Sequence, residues 1–221
     1  MNIMIHACID RMHYVEGFLV PTLLKDGWKE EEVEVYEDTK EEGCLKAYLH
    51  SFKSLPGEGD TWHLQDDVLP DRRFKWFAEK WADYDGIINA FGNVRFYKPA
   101  DFGPVADAGK MFYSFPCLRI PNALAHEFVA WVNANMNKPQ YIQYTSAGKY
   151  VDWLFKQFIG RNERGIGIIN MKPCLVEHVD EYCGGSQVNK QRQNPAKALQ
   201  FEDSQQLERL KEWRRKYEEE A

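Results

Sequence analysis

Cysteine is sparse in this sequence, and its spacing shows no pairing. The five cysteines are Cys8, Cys44, Cys117, Cys174 and Cys183. Their number is odd and none forms a C-x-x-C pair, which argues against a disulfide framework and against a cysteine-ligated zinc site. The sequence therefore predicts a protein of a reducing compartment, and we expect it in the cytoplasm.

Long apolar runs and targeting signals are also missing. No stretch reaches 18 consecutive apolar residues, so hydropathy predicts no transmembrane helix and no membrane partner. The first residues carry no basic segment, and Asp10 and Arg11 interrupt the apolar run that follows Met1. A signal peptide is therefore not expected.

The sequence also lacks an excess of positive charge and the common nucleotide and hydrolase signatures. Its 28 Lys and Arg residues against 34 Asp and Glu residues give a net charge of −6, which disfavours a general binder of polyanions. It has no Walker A motif, no G-x-G-x-x-G after the first predicted strand and no G-x-S-x-G elbow. P-loop, Rossmann dinucleotide and α/β-hydrolase interpretations are therefore excluded.

Apolar strands and amphipathic helices alternate along the 221 residues, of which 44% are apolar. The pattern predicts strands at 3–9, 33–36, 61–64, 86–91 and 166–169, and helices at 12–25, 43–55, 72–81, 121–131, 147–159 and 203–217. A long irregular stretch at 93–110 is of the kind that often serves function. Such alternation implies an α/β fold with a largely parallel sheet, which binds ligands at the carboxyl ends of its strands.

An acidic pair closes the third predicted strand, in the run His63-Leu64-Gln65-Asp66-Asp67. Successive side chains on an extended strand point to opposite faces, so Asp66 and Asp67 should have different roles. One could bind a divalent cation while the other orients a water or a ligand hydroxyl, since hard cations take carboxylate oxygens and are usually shared with phosphates. The alternative is a plain acidic turn, but the position at the ligand edge favours a functional pair.

The predicted elements begin with a strand, a helix, an Asp-ended strand, a helix with a basic residue and a strand ending in an acidic pair. This order resembles the GT-A class of nucleotide-sugar-dependent glycosyltransferases, of the family 2 type. The resemblance spans residues 1–186 and implies a Rossmann-related, mostly parallel sheet flanked by helices. It implies a nucleotide-binding half at 1–92 and an acceptor half at 93–186, followed by a C-terminal polar segment and amphipathic helix at 187–221. The usual metal motif of the class is Asp-x-Asp, and Gln65 replaces its first Asp here.

The resemblance also implies roles for individual residues. Asp67 would be a metal ligand, with Asp66 and Gln65 on the donor side. A late histidine, often followed by a serine, completes the metal diphosphate site in this class, and His178 and Ser186 match in order. A lone histidine is more often a satisfied core or surface residue, so the position after a buried strand carries this assignment.

Asp152 matches the acidic residue that acts as general base in inverting members of the class. It stands at the start of the predicted helix that precedes the last strand, where Asp is also favoured as a helix cap. The base role and the capping role both remain open at this point.

The first two strand ends would form the nucleotide half of the site. The candidates there are Asp10, Arg11, Asp38 and Lys46. Asp38 could accept from a nucleobase N–H, Lys46 could reach the base or a phosphate, and Asp10 and Arg11 could flank the base and diphosphate. Each is alternatively a solvated loop charge.

The activity implied is transfer of a sugar from a nucleotide-diphosphate donor, foremost a UDP-sugar, to a hydroxyl acceptor with Mn²⁺ or Mg²⁺ and with inversion. The acceptor would be a saccharide or modified DNA, since compact phage-type enzymes of this kind modify hydroxymethylated bases. A strip at 190–216 with eight basic and four acidic residues fits a polyanion, although its apolar stripe fits a helix docked on the domain. The alternatives are a nucleotidyltransferase and a non-catalytic nucleotide or carbohydrate binding module.

Overall fold

Seven strands form the main sheet in the computed structural model, which describes residues 1–39, 43–92, 103–105, 115–146, 151–161, 165–171, 173–183, 198 and 201–220. They are β1 (Asn2–Cys8), β2 (Val33–Asp38), β3 (Asp60–Gln65), β5 (Ile87–Asn89), β6 (Gly103–Val105), β7 (Cys117–Pro121) and β8 (Ile168–Asn170). Their spatial order is β2-β1-β3-β7-β5-β8-β6. Only β6 and β7 run against the rest, so the predicted mostly parallel α/β sheet is confirmed.

Eight α-helices are described, and they are α1 (Met12–Tyr14), α2 (Val20–Lys25), α3 (Cys44–Ser54), α4 (Phe74–Lys80), α5 (Asn122–Asn135), α6 (Pro139–Ser146), α7 (Val151–Gly160) and α8 (Ser204–Glu220). A π-helical turn, Val15–Leu19, joins α1 to α2. Pro21 therefore stands in the first turn of α2, where its missing N–H is tolerated.

The side chains of the central strands divide between two cores. Ile3 and Ile5 of β1 enter one core with the helical run 12–25, α4 and α8, whereas Met4 enters the other with α3, α5 and α7. This alternation is the period-two pattern of an extended strand. Helices therefore cover both faces of the sheet, as predicted.

Two features of the topology differ from the sequence prediction. Antiparallel β7 lies between β3 and β5, so the third and fourth predicted strands are not neighbours. A second, small antiparallel sheet joins β4 (Val68–Pro70) to β9 (Val176–His178). Both β4 and β9 have only three residues, too few for a hydrophobic period to be recognised.

The C-terminal helix α8 packs into the first core. Leu210 is fully buried there, and the Trp213 ring lies against those of Tyr14 and Phe18. Gln206 Nε2 donates to Asp26 at 2.6 Å. The prediction of a C-terminal amphipathic helix is confirmed. In the described part of the chain, no helix combines the length and apolarity needed to cross a membrane.

Candidate active site

The carboxyl ends of β1 and β3 lie side by side, because these strands are parallel neighbours. After β1, a 3-10 turn (Ile9–Arg11) buries the Arg11 side chain. After β3, Asp66 and Asp67 form a turn that leads into β4. The acidic pair therefore stands at the sheet edge where α/β folds of this type bind ligands.

Arg11 bridges both carboxylates of the acidic pair. Its Nη1 donates to Asp66 Oδ1 at 2.6 Å and also to Asp67 Oδ2. The second Asp66 oxygen accepts the Cys8 backbone N–H at 2.7 Å. The expectation that Asp66 and Asp67 point to opposite faces is wrong, because they occupy a turn instead of an extended strand.

His178 reaches the same cluster from the opposite end of the sequence. Strand β9 runs antiparallel to β4 with His178 opposite Val68, and the Val179 N–H donates to the Asp67 carbonyl at 2.7 Å. His178 Nε2 consequently lies 3.4 Å from Asp67 Oδ2. Arg11, Asp67 and His178 are thus brought together although 167 residues separate the first from the last (178 − 11).

Glu177 fixes the backbone beside His178. Its Oε1 accepts the His178 N–H at 2.9 Å and the Ala198 N–H at 2.8 Å, and the side chain is buried. Sequence reasoning missed this residue, because a glutamate between Val176 and His178 carries no signal of its two backbone partners. Glu177 positions the strand that carries His178.

Burial and ion pairing act in opposite directions on these charges. Burial, followed by the nearby Asp67 carboxylate, raises the pKa of Asp66, while the Arg11 guanidinium and the Cys8 N–H hold it back. Burial alone would lower the pKa of Arg11, but the charges of Asp67 and Asp66 outweigh it and raise that pKa. Arg11 therefore remains a cation inside the cluster.

Two further predicted residues, Asp38 and Asp152, lie within electrostatic range of Cys44. Burial raises the pKa of the Cys44 thiol, and the carboxylates of Asp152, Asp66, Asp67 and Asp38 raise it further in that order. Cys44 begins α3, so the charges of both predicted acids, Asp38 and Asp152, act on the start of this helix, as do those of the acidic pair.

The two cysteines of this region are unsuited to nucleophilic catalysis. Burial, followed by the charge of Asp66, raises the pKa of Cys8 to about 12. The pKa of Cys44 is raised as well. Because the thiolate is the nucleophile, thiols with raised pKa values stay inert at neutral pH.

Asp152 occupies the first turn of α7 and is partly buried. Burial raises the pKa of its carboxyl group, and the backbone N–H groups of Asp152 and Trp153 oppose that rise. The position serves the helix start, and the charge of the carboxylate also acts on Cys44 at the start of α3. A carboxylate with a raised pKa is a better proton acceptor than an ordinary one.

The remaining predicted residues lie at the same edge with weaker ties to the cluster. Asp10 and Lys46 are exposed, and Gln65 is half-buried with its N–H donating to the Pro116 carbonyl at 2.9 Å. Asp38 ends β2 and accepts the Gly43 N–H at 3.3 Å. Ser186, and most of the predicted stretch 93–110, lie outside the described residues.

A divalent cation would find donors of the right chemistry at Asp67 and His178. Asp67 Oδ1 is buried and accepts no hydrogen bond from the described residues, and the His178 imidazole adjoins the other oxygen. Carboxylate oxygen and imidazole nitrogen both suit Mn²⁺. The described residues contain no group of three or more His, Cys, Asp or Glu side chains arranged to hold a metal. Phosphate oxygens and water would therefore supply the remaining ligands, as is common for Mg²⁺-type sites.

The basic strip on α8 is largely neutralised within the helix. Its ion pairs join Lys211 to Glu208, Arg214 to Glu218, Arg215 to Glu219 and Lys216 to Glu212. Pairs three or four residues apart on one helix face are typical of a solvated surface. Together with the packing of Trp213, they favour the docked helix over a polyanion-binding strip.

Comparison with known proteins gives likenesses among solved structures alone. No family model matches the sequence, and no curated protein matches it. A structure of the galactosyltransferase LgtC in complex with donor and acceptor sugar analogues is 12% identical, covers 98% of this chain and 96% of that chain, and has a TM-score of 0.46. The apo-form glycosyltransferase GlyE in Streptococcus pneumoniae is 11% identical, covers 99% of this chain and 63% of that chain, and has a TM-score of 0.40.

A third likeness is to a putative glucose-1-phosphate thymidylyltransferase from Bacillus anthracis, at 11% identity, with 73% of this chain and 96% of that chain covered and a TM-score of 0.34. The three TM-scores all lie below 0.5. We therefore base the function on the residues of this chain.

Proposed function

We propose that this protein is a metal-dependent glycosyltransferase that moves a sugar from a nucleotide-diphosphate donor to a hydroxyl acceptor with inversion. The observation that carries the proposal is the buried meeting of Arg11, Asp66, Asp67 and His178 at the carboxyl edge of β1 and β3. A guanidinium, two carboxylates and an imidazole in one place suit a metal-bound diphosphate. The guanidinium can pair with phosphate oxygens, and carboxylate and imidazole groups can bind the metal.

The donor would bind across the ends of β1, β2 and β3. Asp67 and His178 would hold Mn²⁺ or Mg²⁺, which when bound would offset the charge that develops on the leaving diphosphate. Arg11 would give the same oxygens a guanidinium donor, and Asp66 would contact the donor sugar or ribose. Asp38 and Lys46, with Gln65 and Asp10 nearby, would contact the nucleoside. We take a UDP-sugar as the first donor to test.

Asp152 would act as the general base. It would remove the proton of the acceptor hydroxyl while that oxygen attacks the anomeric carbon opposite the leaving diphosphate, which inverts the configuration. Its raised pKa and the action of its charge on Cys44 at the start of α3 support this role. The acceptor would be a saccharide, since the paired charges of α8 speak against a polyanion such as modified DNA.

The test of the class is a binding screen with and without metal. Thermal shifts would be recorded with UDP, GDP, CDP and their sugars in Mn²⁺ and in EDTA, and released nucleotide would be assayed with saccharide acceptors. A glycosyltransferase should bind one nucleotide-sugar in a metal-linked way and release the nucleoside diphosphate. Release of pyrophosphate from a nucleoside triphosphate would indicate a nucleotidyltransferase, and equal binding in EDTA would indicate a non-catalytic module.

The test of the site uses Asp67→Asn. We expect donor turnover to fall roughly 100-fold or more, because the variant loses the carboxylate that would face the metal diphosphate. Asp83→Asn is the matched control, since Asp83 is exposed and distant in sequence from the cluster. Turnover of Asp67→Asn within a few-fold of the wild type, measured by nucleoside diphosphate release, would remove the metal role from this residue.

A further inference from the structure

The cluster already contains a cation at the place where a divalent ion would bind. The same Arg11 nitrogen donates to one oxygen of Asp66 and to one of Asp67. The three side chains are at most 9% exposed, so water screens these charges weakly. Both oxygens of Asp66 accept hydrogen bonds, whereas Asp67 Oδ1 accepts none from the described residues. Asp67 Oδ1 is therefore the oxygen of the pair that could bind a metal ion.

A divalent ion on Asp67 would consequently lie next to the guanidinium. Like charges at such a distance in a buried site repel each other strongly. The two carboxylates carry a total charge of −2, and one guanidinium with one divalent ion carries +3. The cluster with a metal ion would therefore have a net charge of +1. The site is therefore poorly matched to a metal ion that arrives alone.

A diphosphate changes this balance. It brings negative charge to both cations at once, and guanidinium groups bind phosphate oxygens in a bidentate geometry. With the diphosphate present, Arg11 could exchange its bond to Asp67 for bonds to phosphate, and Asp67 would then be free to hold the metal.

We propose that Arg11 is an internal counter-ion that makes divalent-cation binding at Asp67 conditional on the diphosphate. This inference rests on the proposed function, since it assigns the coupling between two of its ligands. Coupling of this kind is reciprocal, so Mn²⁺ strengthens diphosphate binding by the same factor by which the diphosphate strengthens Mn²⁺ binding.

The experiment measures Mn²⁺ binding to the full chain without nucleotide, by the electron paramagnetic resonance signal of free Mn²⁺. The wild type, Arg11→Gln and Arg11→Lys are compared. Arg11→Gln keeps a hydrogen-bond donor but removes the charge, and we expect it to bind Mn²⁺ at least tenfold more tightly than the wild type. Arg11→Lys keeps the charge and should stay near the wild type. The double variant Arg11→Gln with Asp67→Asn should lose the gain.

A second measurement does not depend on the folding of any variant. Equilibrium dialysis gives the affinity of the wild type for UDP and for inorganic pyrophosphate with and without Mn²⁺. We expect Mn²⁺ to raise the affinity for one of them at least tenfold. Equal Mn²⁺ affinity in the wild type and a folded Arg11→Gln, or a wild type whose Mn²⁺ affinity is unaffected by UDP and pyrophosphate, would overturn the proposal.

The two failures are distinguishable. If the wild type binds no nucleotide-sugar and transfers no sugar, the proposed function fails, but tighter Mn²⁺ binding by Arg11→Gln would still support the counter-ion role. If sugar transfer is found and Arg11→Gln binds Mn²⁺ no more tightly than the wild type, only the role of Arg11 is wrong.

Discussion

Two buried polar clusters lie a few residues apart, one on strands β1 and β3 and one in the turns that follow these strands. The cluster on the strands is uncharged, whereas the cluster in the turns keeps its charges. In the sheet interior, His63 lies 3.0 Å from His6, Nδ1 to Nε2, and His6 Nδ1 lies 3.2 Å from Ser51 Oγ. Ser51 donates its own proton to the Tyr48 carbonyl, so its oxygen accepts from His6, and the links of this chain are made by neutral imidazoles; His63 Nε2, at its end, is buried and has no hydrogen-bond partner among the described residues.

Burial keeps this interior chain uncharged. It lowers the pKa of His6, with His63 adding to the effect, and it lowers the pKa of His63 to about 3. In the turn that follows β3, Asp66 and Asp67 are also buried, but Arg11 supplies the opposite charge that they need. The difference shows that charge is retained at the ligand edge by a paired cation and removed from the core by desolvation.

The comparison predicts a large difference in stability. Arg11→Met leaves two buried carboxylates without their cation, and breaking a buried pair in this way costs about 3–5 kcal/mol in the free energy of unfolding. Ser51→Ala removes the two neutral hydrogen bonds of the Ser51 hydroxyl, with His6 and with the Tyr48 carbonyl, and should cost about 1–2 kcal/mol. Urea unfolding at pH 7 measures both.

One outcome would contradict this contrast between the charged and the neutral cluster. If Ser51→Ala destabilises the protein as much as Arg11→Met, the two groups are not distinguished by charge. Adding Asp67→Asn to Arg11→Met should recover part of the loss, because one of the unpaired charges is then removed.

The second prediction concerns acid stability. Because the pKa of His63 is lowered in the folded state, the unfolded chain takes up a proton below about pH 6.5 that the folded chain refuses. Stability should therefore fall as the pH drops from 6.5 toward 3, by roughly 1.4 kcal/mol per pH unit for each such imidazole, and by about 2 kcal/mol for His63 at pH 5.

Unfolding curves at pH 7, 6 and 5 for the wild type and His63→Gln test this. The variant should lose less stability between pH 7 and 5, whatever its stability at pH 7. His50→Gln is the control for the same replacement at a histidine that is exposed on α3. An equal slope in the wild type and His63→Gln would contradict the neutral chain.

The smallest effect is expected on the surface of α8. Arg215 pairs with Glu219 at 2.8 Å, but both side chains are more than 60% exposed. Exposed pairs of this spacing contribute about 0.3–0.5 kcal/mol, so Arg215→Ala should shift the urea midpoint barely at all. A loss comparable to that of Arg11→Met would mean that the strip holds a structural contact of another kind.

Much of the fold could be predicted from local patterns. The apolar runs placed β1, β3 and α3 within two residues of their observed ends, since their periods of two and 3.6 are uninterrupted. β7 and the pairing of β4 with β9 could not be predicted, because they depend on contacts between distant parts of the chain. Short strands of this kind are defined by their partners.

The candidate site could be predicted only in part from local sequence patterns. The position of Asp66 and Asp67 at a strand end followed from the parallel arrangement, and His178 followed from its place after a buried strand. The bridging role of Arg11 depends on the turn geometry at 66–67, and the partner of Glu177 lies 21 residues further along the chain. Neither of these two interactions can be recognised from the local sequence.

Glu177 links the candidate site to the far end of the polypeptide. One carboxylate oxygen holds the amide of His178 and the amide of Ala198, so residues that follow the site share an anchor with it. A chain cut before residue 198 would keep the strand but remove one of the two amides that this oxygen accepts. Truncations that remove residue 198 are thus structural perturbations of the strand that carries His178.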